Sequence, residues 1–251
     1  MYSKNYLLFN GDDLRLRRCL RFYHSEDYCG HCLNCLSAKD DEDAIRYVYE
    51  TKRSLCFFAN LGYDNADGLR KDLASLFIQR MRDGFDAYVR KVLGLPHKAY
   101  EAYKSKHLSS CPRLRHVLVG DYDEDTCLPR YRCLFFVDFG DCREDFIVDS
   151  SAVDDFTSIF RDMTAKCWFC DVLDFSRFDA YDCFRFANYH LLSDYQFSDD
   201  CFRLYSLDIG SNALDDEVLL DNVAHGRYYV TFNGCDYPIP GYIFKRLNLP
   251  I

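Results

Sequence analysis

Two short segments of the chain combine residue types and spacings that could do chemistry. The first, CGHCLNC, places Cys29, Cys32 and Cys35 at two overlapping C-x-x-C steps. Three thiolates brought together in this way suit tetrahedral zinc, with Cys19 or one of two nearby histidines as the fourth ligand. Such a zinc ion would be structural, because it would hold together a segment with little apolar core. A cluster of reduced thiols without metal is the alternative.

The second segment, CLPRYRCLFF, predicts a turn that runs into a buried strand, with two cations at its start. Arg130 and Arg132 share one face of this strand, because alternate residues point to the same side. In one interpretation they pair with the acidic residues at 121–124 across a hairpin, which contributes about 0–1 kcal/mol per exposed pair. In the other, the two guanidinium groups bind a phosphate, and Arg113 and Arg115 extend that patch.

Composition limits the classes of protein to consider. The chain has 251 residues, of which 49% are hydrophobic and 28% are charged, as in globular proteins. Its net charge of -9 argues against general electrostatic DNA binding, so a nucleic-acid contact would be a local patch. We expect no membrane span and no signal peptide, and therefore a cytoplasmic protein whose 14 cysteines are thiols or metal ligands rather than disulfides.

The elements that must position these residues follow from hydrophobic periodicity. Helices are predicted at 37–52, with Ser37 as the N-cap, at 69–93, where Gly84 breaks or bends the helix, and at 151–163 and 213–223. Strands are predicted at 54–64, 115–122, 131–139 and 168–175, and a hairpin at 228–240. The span 180–200 is ambiguous, and the acidic stretches 38–44 and 120–126 read as solvated surface.

This pattern predicts an α+β fold with a central antiparallel sheet flanked by helices. The predicted boundaries are a Cys-rich N-terminal segment at 1–36 and a single domain at 37–251.

The order of several segments resembles a known family. CGHCLNC, SLCFFANLGYD, RLRHVLVGDYDEDTCLPRYRCLFF, RFANYHLLSDYQ and NGCDYPIPGYIFKRL follow one another as in the replication initiators of microviruses, especially the gokushovirus group of small single-stranded DNA phages. The resemblance covers residues 25–247. It implies a rolling-circle nickase of the HUH type, in which two histidines hold Mg²⁺ or Mn²⁺ and a tyrosine becomes linked to the 5′ end of origin DNA. Single-stranded DNA and host replication proteins in the host cytoplasm are the implied partners.

Residue by residue, the resemblance carries over only in part. The two metal-binding histidines of the family fall on Arg130 and Arg132, and arginine cannot ligate a cation. The nucleophile falls on Tyr189, whereas Leu192 stands where the family has a lysine. The sequence thus predicts an initiator-like protein that binds single-stranded DNA, and leaves open whether it cleaves DNA. The alternative is a non-catalytic, zinc-stapled module that binds single-stranded DNA or a protein.

Overall fold

The computed structural model describes residues 33–63, 68–107, 110–123, 125–187 and 200–248, with side chains from residue 38 onward. The helices in these ranges are α1 (Leu33–Thr51), α2 (Lys71–Val92), α3 (His97–Lys106), α4 (Arg143–Phe146), α5 (Ser150–Cys167), α6 (180–187), α7 (Glu217–Ala224) and α8 (Gly241–Arg246). The strands are β1 (Leu55–Gly62), β2 (Arg113–Tyr122), β3 (Pro129–Asp138), β4 (Val172–Arg177), β5 (Phe202–Tyr205), β6 (Tyr229–Phe232) and β7 (Cys235–Pro238). Two 3₁₀ turns occupy Gly140–Cys142 and Ser211–Asp215.

Five strands form one antiparallel sheet in the order β4-β1-β3-β2-β5. β2 and β3 are joined as a hairpin whose register runs from the pair Arg113–Asp138 to the pair Tyr122–Pro129. The predicted hairpin and the predicted α+β fold with a central antiparallel sheet flanked by helices are both confirmed.

The two faces of β3 contact different helices because its side chains alternate. Tyr131, Cys133 and Phe135 point into a core that they share with α2 and α5. Leu134 and Phe136 point to the other side, into a core formed with α1 and α6. Arg130 and Arg132 belong to this second face, so the sheet separates them from α2 and α5.

Helix α2 is continuous, which corrects the predicted break at Gly84. A Cβ at this position would lie 3.2 Å from the Met163 Sδ atom of α5. The glycine therefore allows α2 and α5 to pack closely, and the buried side chains on the same face of α2 hold the helix together.

Trp168 lies at the end of α5 rather than in a strand, which corrects the strand predicted at 168–175. Its indole Nε1 donates a hydrogen bond of 2.8 Å to the Gly62 carbonyl, and its ring packs in the core against Phe77 and Tyr131. β4 begins only at Val172.

Two further boundaries differ from the sequence-based expectations. α1 begins at Leu33, so Ser37 lies within the helix and is not its N-cap. The helix predicted at 213–223 divides at Asp216, whose side chain accepts a hydrogen bond from the Leu219 amide and caps α7.

The C-terminal elements form a small third core against α1. β6 and β7 are a hairpin, as predicted, and its Asn233–Gly234 turn has positive φ at both residues. Ile45 and Tyr49 of α1 pack there with Ile239 and Ile243. In the ranges that the structure describes, no helix has the length and apolar character needed to cross a membrane.

Candidate functional site

Arg130 and Arg132 lie at one end of the sheet, on the face that α1 covers. Arg132 pairs in register with Asn60 of β1, and Arg130 pairs with Asp121 of β2. Arg203 of β5 extends the same cross-strand row. We call these five residues the polar end of the sheet.

The arginine pair is held in ion pairs across the hairpin. Arg132 pairs with Asp121, which is 3% exposed, and Arg130 Nε lies 3.6 Å from Asp123 Oδ2. Two hydrogen bonds from Thr126 lower the pKa of Asp123, and the charge of Arg130 adds to this effect. The structure therefore forms the ion pairs across the hairpin that the sequence suggested as one of two interpretations. These ion pairs are more buried than pairs at an exposed strand end would be.

Helix α1 brings two more carboxylates to the polar end. Arg203 lies 3.9 Å from Asp40 and 3.8 Å from Asp43, and Asp43 also pairs with Arg46 at 3.0 Å. The Tyr205 hydroxyl donates a hydrogen bond of 3.1 Å to Asp43, and burial, with the Asp43 charge, raises the tyrosine pKa to about 12. Both aspartates are buried, which corrects the interpretation of 38–44 as solvated surface.

The acidic stretch 120–126 needs a similar correction at one position. Asp121 is buried under α1, because it points to the same face of β2 as the buried Val117 and Val119. Together with the charged side chains that contact it, the polar end therefore comprises four arginines and four aspartates, and the charges are closely balanced.

Of the polar atoms that are buried without a hydrogen-bond partner among the described residues, two belong to Asn60 and Tyr47 on this face. They are the Asn60 Oδ1 atom and the hydroxyl of Tyr47, a residue that is fully buried between Phe136 and Phe186. Burial raises the Tyr47 pKa, so this hydroxyl stays protonated. Buried polar groups of this kind usually have a partner, and those that lack one indicate a position for water or a ligand.

Helix α6 covers part of the face that carries Arg130 and Arg132. Cys183, Phe186 and Ala187 pack on the same face of the sheet as Arg130 and Arg132. Tyr189 lies outside the described residues, two positions after the last described residue of this helix.

Arg113 and Arg115 lie at the opposite end of β2 and do not join this cluster. Arg115 is separated from Asp121 by six residues, or about 20 Å of strand. It pairs with Glu50, which is fully buried, while Arg113 pairs with Asp138 at 3.1 Å. We call these four residues, together with Asn212, the closed end of the sheet.

Glu50 is the centre of the closed end. Its Oε1 atom accepts a hydrogen bond of 2.6 Å from the Gly210 amide, and its Oε2 atom contacts both Arg115 and Asn212. Burial raises the pKa of Glu50, and the Arg115 charge counteracts part of this rise. This ion pair fastens α1 to the sheet and to the segment before α7.

His116 is also used structurally. It points to the α2 side of the sheet, and its Nδ1 atom lies 2.8 Å from the Ser206 hydroxyl. Burial, helped by the nearby Arg82 charge, lowers its pKa to about 3, so the imidazole is neutral. Arg82 also contacts the Ser206 hydroxyl at 3.4 Å, so this buried serine is engaged on more than one side.

The predicted zinc ligands Cys19, Cys29, Cys32 and Cys35 lie outside the described side chains. Among the described residues, no group of three or more His, Cys, Asp or Glu side chains could hold a metal ion. The described cysteines are free thiols, and burial raises the pKa of those that line the sheet: Cys56, Cys133 and Cys183.

Asn60, Asp40, Asp43 and Arg203 are site residues that sequence reasoning missed. The available signal was strand alternation, because Asn60 interrupts the buried run of β1 at a position that shares a face with Phe58. The contribution of α1 had no such signal, since its aspartates meet Arg203 only after the chain folds.

Comparison with known proteins gives no match at any level. No protein-family model matches the chain, and no curated protein or solved structure matches it.

Proposed function

We propose that the chain is a replication-initiator-like protein of a small single-stranded DNA phage, and that it binds single-stranded DNA at the polar end of the sheet. The observation that carries this proposal is the placement of Arg130 and Arg132 side by side on β3, on the face of the sheet that α1 and α6 cover. In the family that the sequence resembles, this is the position of the metal-binding histidines.

The contacts at the polar end support binding rather than metal-dependent cleavage. Guanidinium groups do not ligate cations, but they donate up to five hydrogen bonds each. The Arg130 side chain makes one ion pair, at 3.6 Å, and no hydrogen bond to the rest of the described chain. Its remaining donors suit a phosphate, and the buried Asn60 Oδ1 atom suits an N–H donor of a base.

Charge balance sets the expected strength of this binding. Each phosphate that approaches Arg130 or Arg132 also meets the carboxylates of Asp121 and Asp123. We therefore expect weak, salt-sensitive affinity at this site rather than the tight binding of an uncompensated basic cleft.

Binding of a labelled single-stranded oligonucleotide, measured by fluorescence anisotropy over a range of salt concentrations, tests the proposal. We expect the Arg130→Ala/Arg132→Ala variant to bind several-fold more weakly, with a log–log salt slope smaller by about 1. The matched control is Arg161→Ala/Arg246→Ala, which removes two exposed arginines elsewhere. Equal affinity of the two variants would contradict the proposal.

Incubation with origin-like DNA and Mg²⁺ or Mn²⁺ addresses cleavage. We expect no covalent DNA adduct, because arginine cannot ligate a cation and the described residues contain no group of side chains that could hold a metal ion instead. A metal-dependent adduct that Tyr189→Phe abolishes would instead identify an active nickase with metal ligands elsewhere. Bound zinc without DNA affinity at low salt would favour a zinc-stapled protein-binding module.

A further inference from the structure

A second charged surface lies on the opposite side of the sheet. The segment 90–107, which covers the end of α2, the turn and α3, carries five Lys or Arg residues and one acidic residue. Its net charge of +4 contrasts with -9 for the whole chain. We call Arg90, Lys91, Lys98, Lys104 and Lys106 the basic hairpin.

The basic hairpin is fixed to the core by one of its own cations. Lys104 Nζ lies 2.7 Å from Asp86 Oδ2 of α2, and the Tyr100 hydroxyl donates to the other oxygen of this carboxylate at 3.1 Å. Tyr100 is fully buried, so α3 is held against α2 by packing as well as by charge. The surface is therefore preorganised.

The other four cations of the basic hairpin have no ion-pair partner within 4.0 Å in the described part of the chain. Lys91, Lys98 and Lys106 are exposed, and Arg90 is half-buried. In contrast, the arginines at and around the polar end form ion pairs with aspartates. These four cations of the basic hairpin therefore form a local cluster of positive charge that no carboxylate of the described chain contacts directly.

One face of α3 is shaped for close approach of a polymer. Lys98, Ala102 and Lys106 follow one another at intervals of four residues, so they share a face. Ala99 and Ser105 border them, and all five are exposed. Small side chains between the lysines leave room for a backbone, and the two ammonium groups are about 12 Å apart along the axis, enough to reach separate phosphates.

We propose that the basic hairpin is a second DNA-binding surface, which contacts the phosphates of single-stranded DNA without reading their sequence. It goes beyond the proposed function, because it is separated from the polar end by the whole sheet. An acidic protein fits this surface less well, since a protein interface has an apolar centre, and the only large apolar side chain exposed between positions 90 and 107 is Val92, in the described part of that segment.

The test is the triple variant Lys91→Gln/Lys98→Gln/Lys106→Gln in the full chain. The probe is a labelled single-stranded oligonucleotide of mixed sequence, and the readout is its dissociation constant as a function of salt. We expect the log–log salt slope to fall by about 2, since each lost phosphate contact on a single strand removes about 0.7. At low salt the dissociation constant should rise by about 10-fold.

The matched control is Lys71→Gln/Lys166→Gln/Lys245→Gln, which removes the same charge from three exposed positions outside the basic hairpin, at the start of α2, on α5 and on α8. An unchanged slope in the triple variant, or an equal change in the control, would overturn the inference. Polyglutamate and unlabelled DNA can be compared as competitors at the same concentration of charge. Equal competition by the two would also overturn the inference, because the partner would then be an acidic protein.

The same assay separates this inference from the proposed function. Loss of affinity only in Arg130→Ala/Arg132→Ala would leave the proposed site standing and reject the basic hairpin. Loss only in the triple lysine variant would do the reverse. Loss in both, with slopes that add, would support two independent contact surfaces.

Discussion

The two ends of the β2–β3 hairpin use the same residue types for different purposes. At the closed end, Arg115 and Glu50 are 6% and 0% exposed and are surrounded by further hydrogen bonds. At the polar end, Arg130 and Arg132 keep part of their surface exposed, and the buried Asn60 Oδ1 atom beside them has no partner in the described chain. An arginine–carboxylate pair is therefore a structural clamp at Arg115, where both partners are buried and Glu50 accepts further hydrogen bonds, and a candidate binding site at Arg130, whose side chain makes no hydrogen bond in the described chain.

The largest effect should come from breaking the closed end. Arg115→Met leaves the Glu50 carboxylate buried without its cation, so we expect a loss of about 3–5 kcal/mol in the free energy of unfolding. Urea denaturation followed by circular dichroism measures it. The double variant Arg115→Met/Glu50→Leu should recover much of this loss, because no charge then remains buried. A loss below about 1 kcal/mol in the single variant would mean that this end is open to water.

The second largest effect should be a loss of stability at low pH, which His116, next to Arg115 in β2, should cause. The folded-state pKa of about 3 lies below the ordinary value of 6.5, so the unfolded chain binds the proton more readily. Stability is complete above pH 6.5 and falls by about 1.4 kcal/mol per unit as the pH drops toward 3, or about 2 kcal/mol by pH 5.

His116→Gln isolates this contribution, since Glu50, whose raised pKa acts in the opposite direction, is the same in both proteins. The difference in unfolding free energy between variant and wild type should change between pH 7 and pH 5 by about 2 kcal/mol. Parallel pH profiles would show that the imidazole reaches water.

At the polar end, Arg132→Ala should cost less stability than Arg115→Met. Asp121 loses one ion pair, but the Arg132 side chain is itself 16% exposed, so its removal opens the carboxylate to water and we expect a loss of about 1–2 kcal/mol. Thermal or urea unfolding measures it, and Arg132→Lys, which keeps the charge, serves as the control. A loss as large as that of Arg115→Met would erase the distinction between the two ends.

The smallest effect should come from Arg130→Ala. The 3.6 Å contact with Asp123 is an ion pair without a hydrogen bond, and Asp123 is held independently by Thr126. We expect a change of about 0.5 kcal/mol or less in unfolding free energy. If the variant binds DNA more weakly but is as stable as the wild type, the role of Arg130 is binding. A loss above about 2 kcal/mol in unfolding free energy would instead show that Arg130 stabilises the fold.

Much of the scaffold could be predicted because it depends on local periodicity. The β2–β3 hairpin followed from two apolar runs around an acidic turn, and the β6–β7 hairpin from Asn233–Gly234. The continuous α2 and the position of Trp168 could not be predicted, because a close helix contact at Gly84 and a hydrogen bond to the Gly62 carbonyl decide them. Both contacts join residues that are far apart in the sequence.

The sequence by itself determined that Arg130 and Arg132 share a face, since alternation along a strand is a property of the backbone. It also determined that neither can hold a metal ion, since the guanidinium group stays protonated. Only the tertiary structure decided which face this is, and which carboxylates of α1 and β2 balance its charge. The same residue type became a clamp at Arg115 and a candidate contact at Arg130, because burial and neighbours, not identity, set the cost of leaving a charge without its partner.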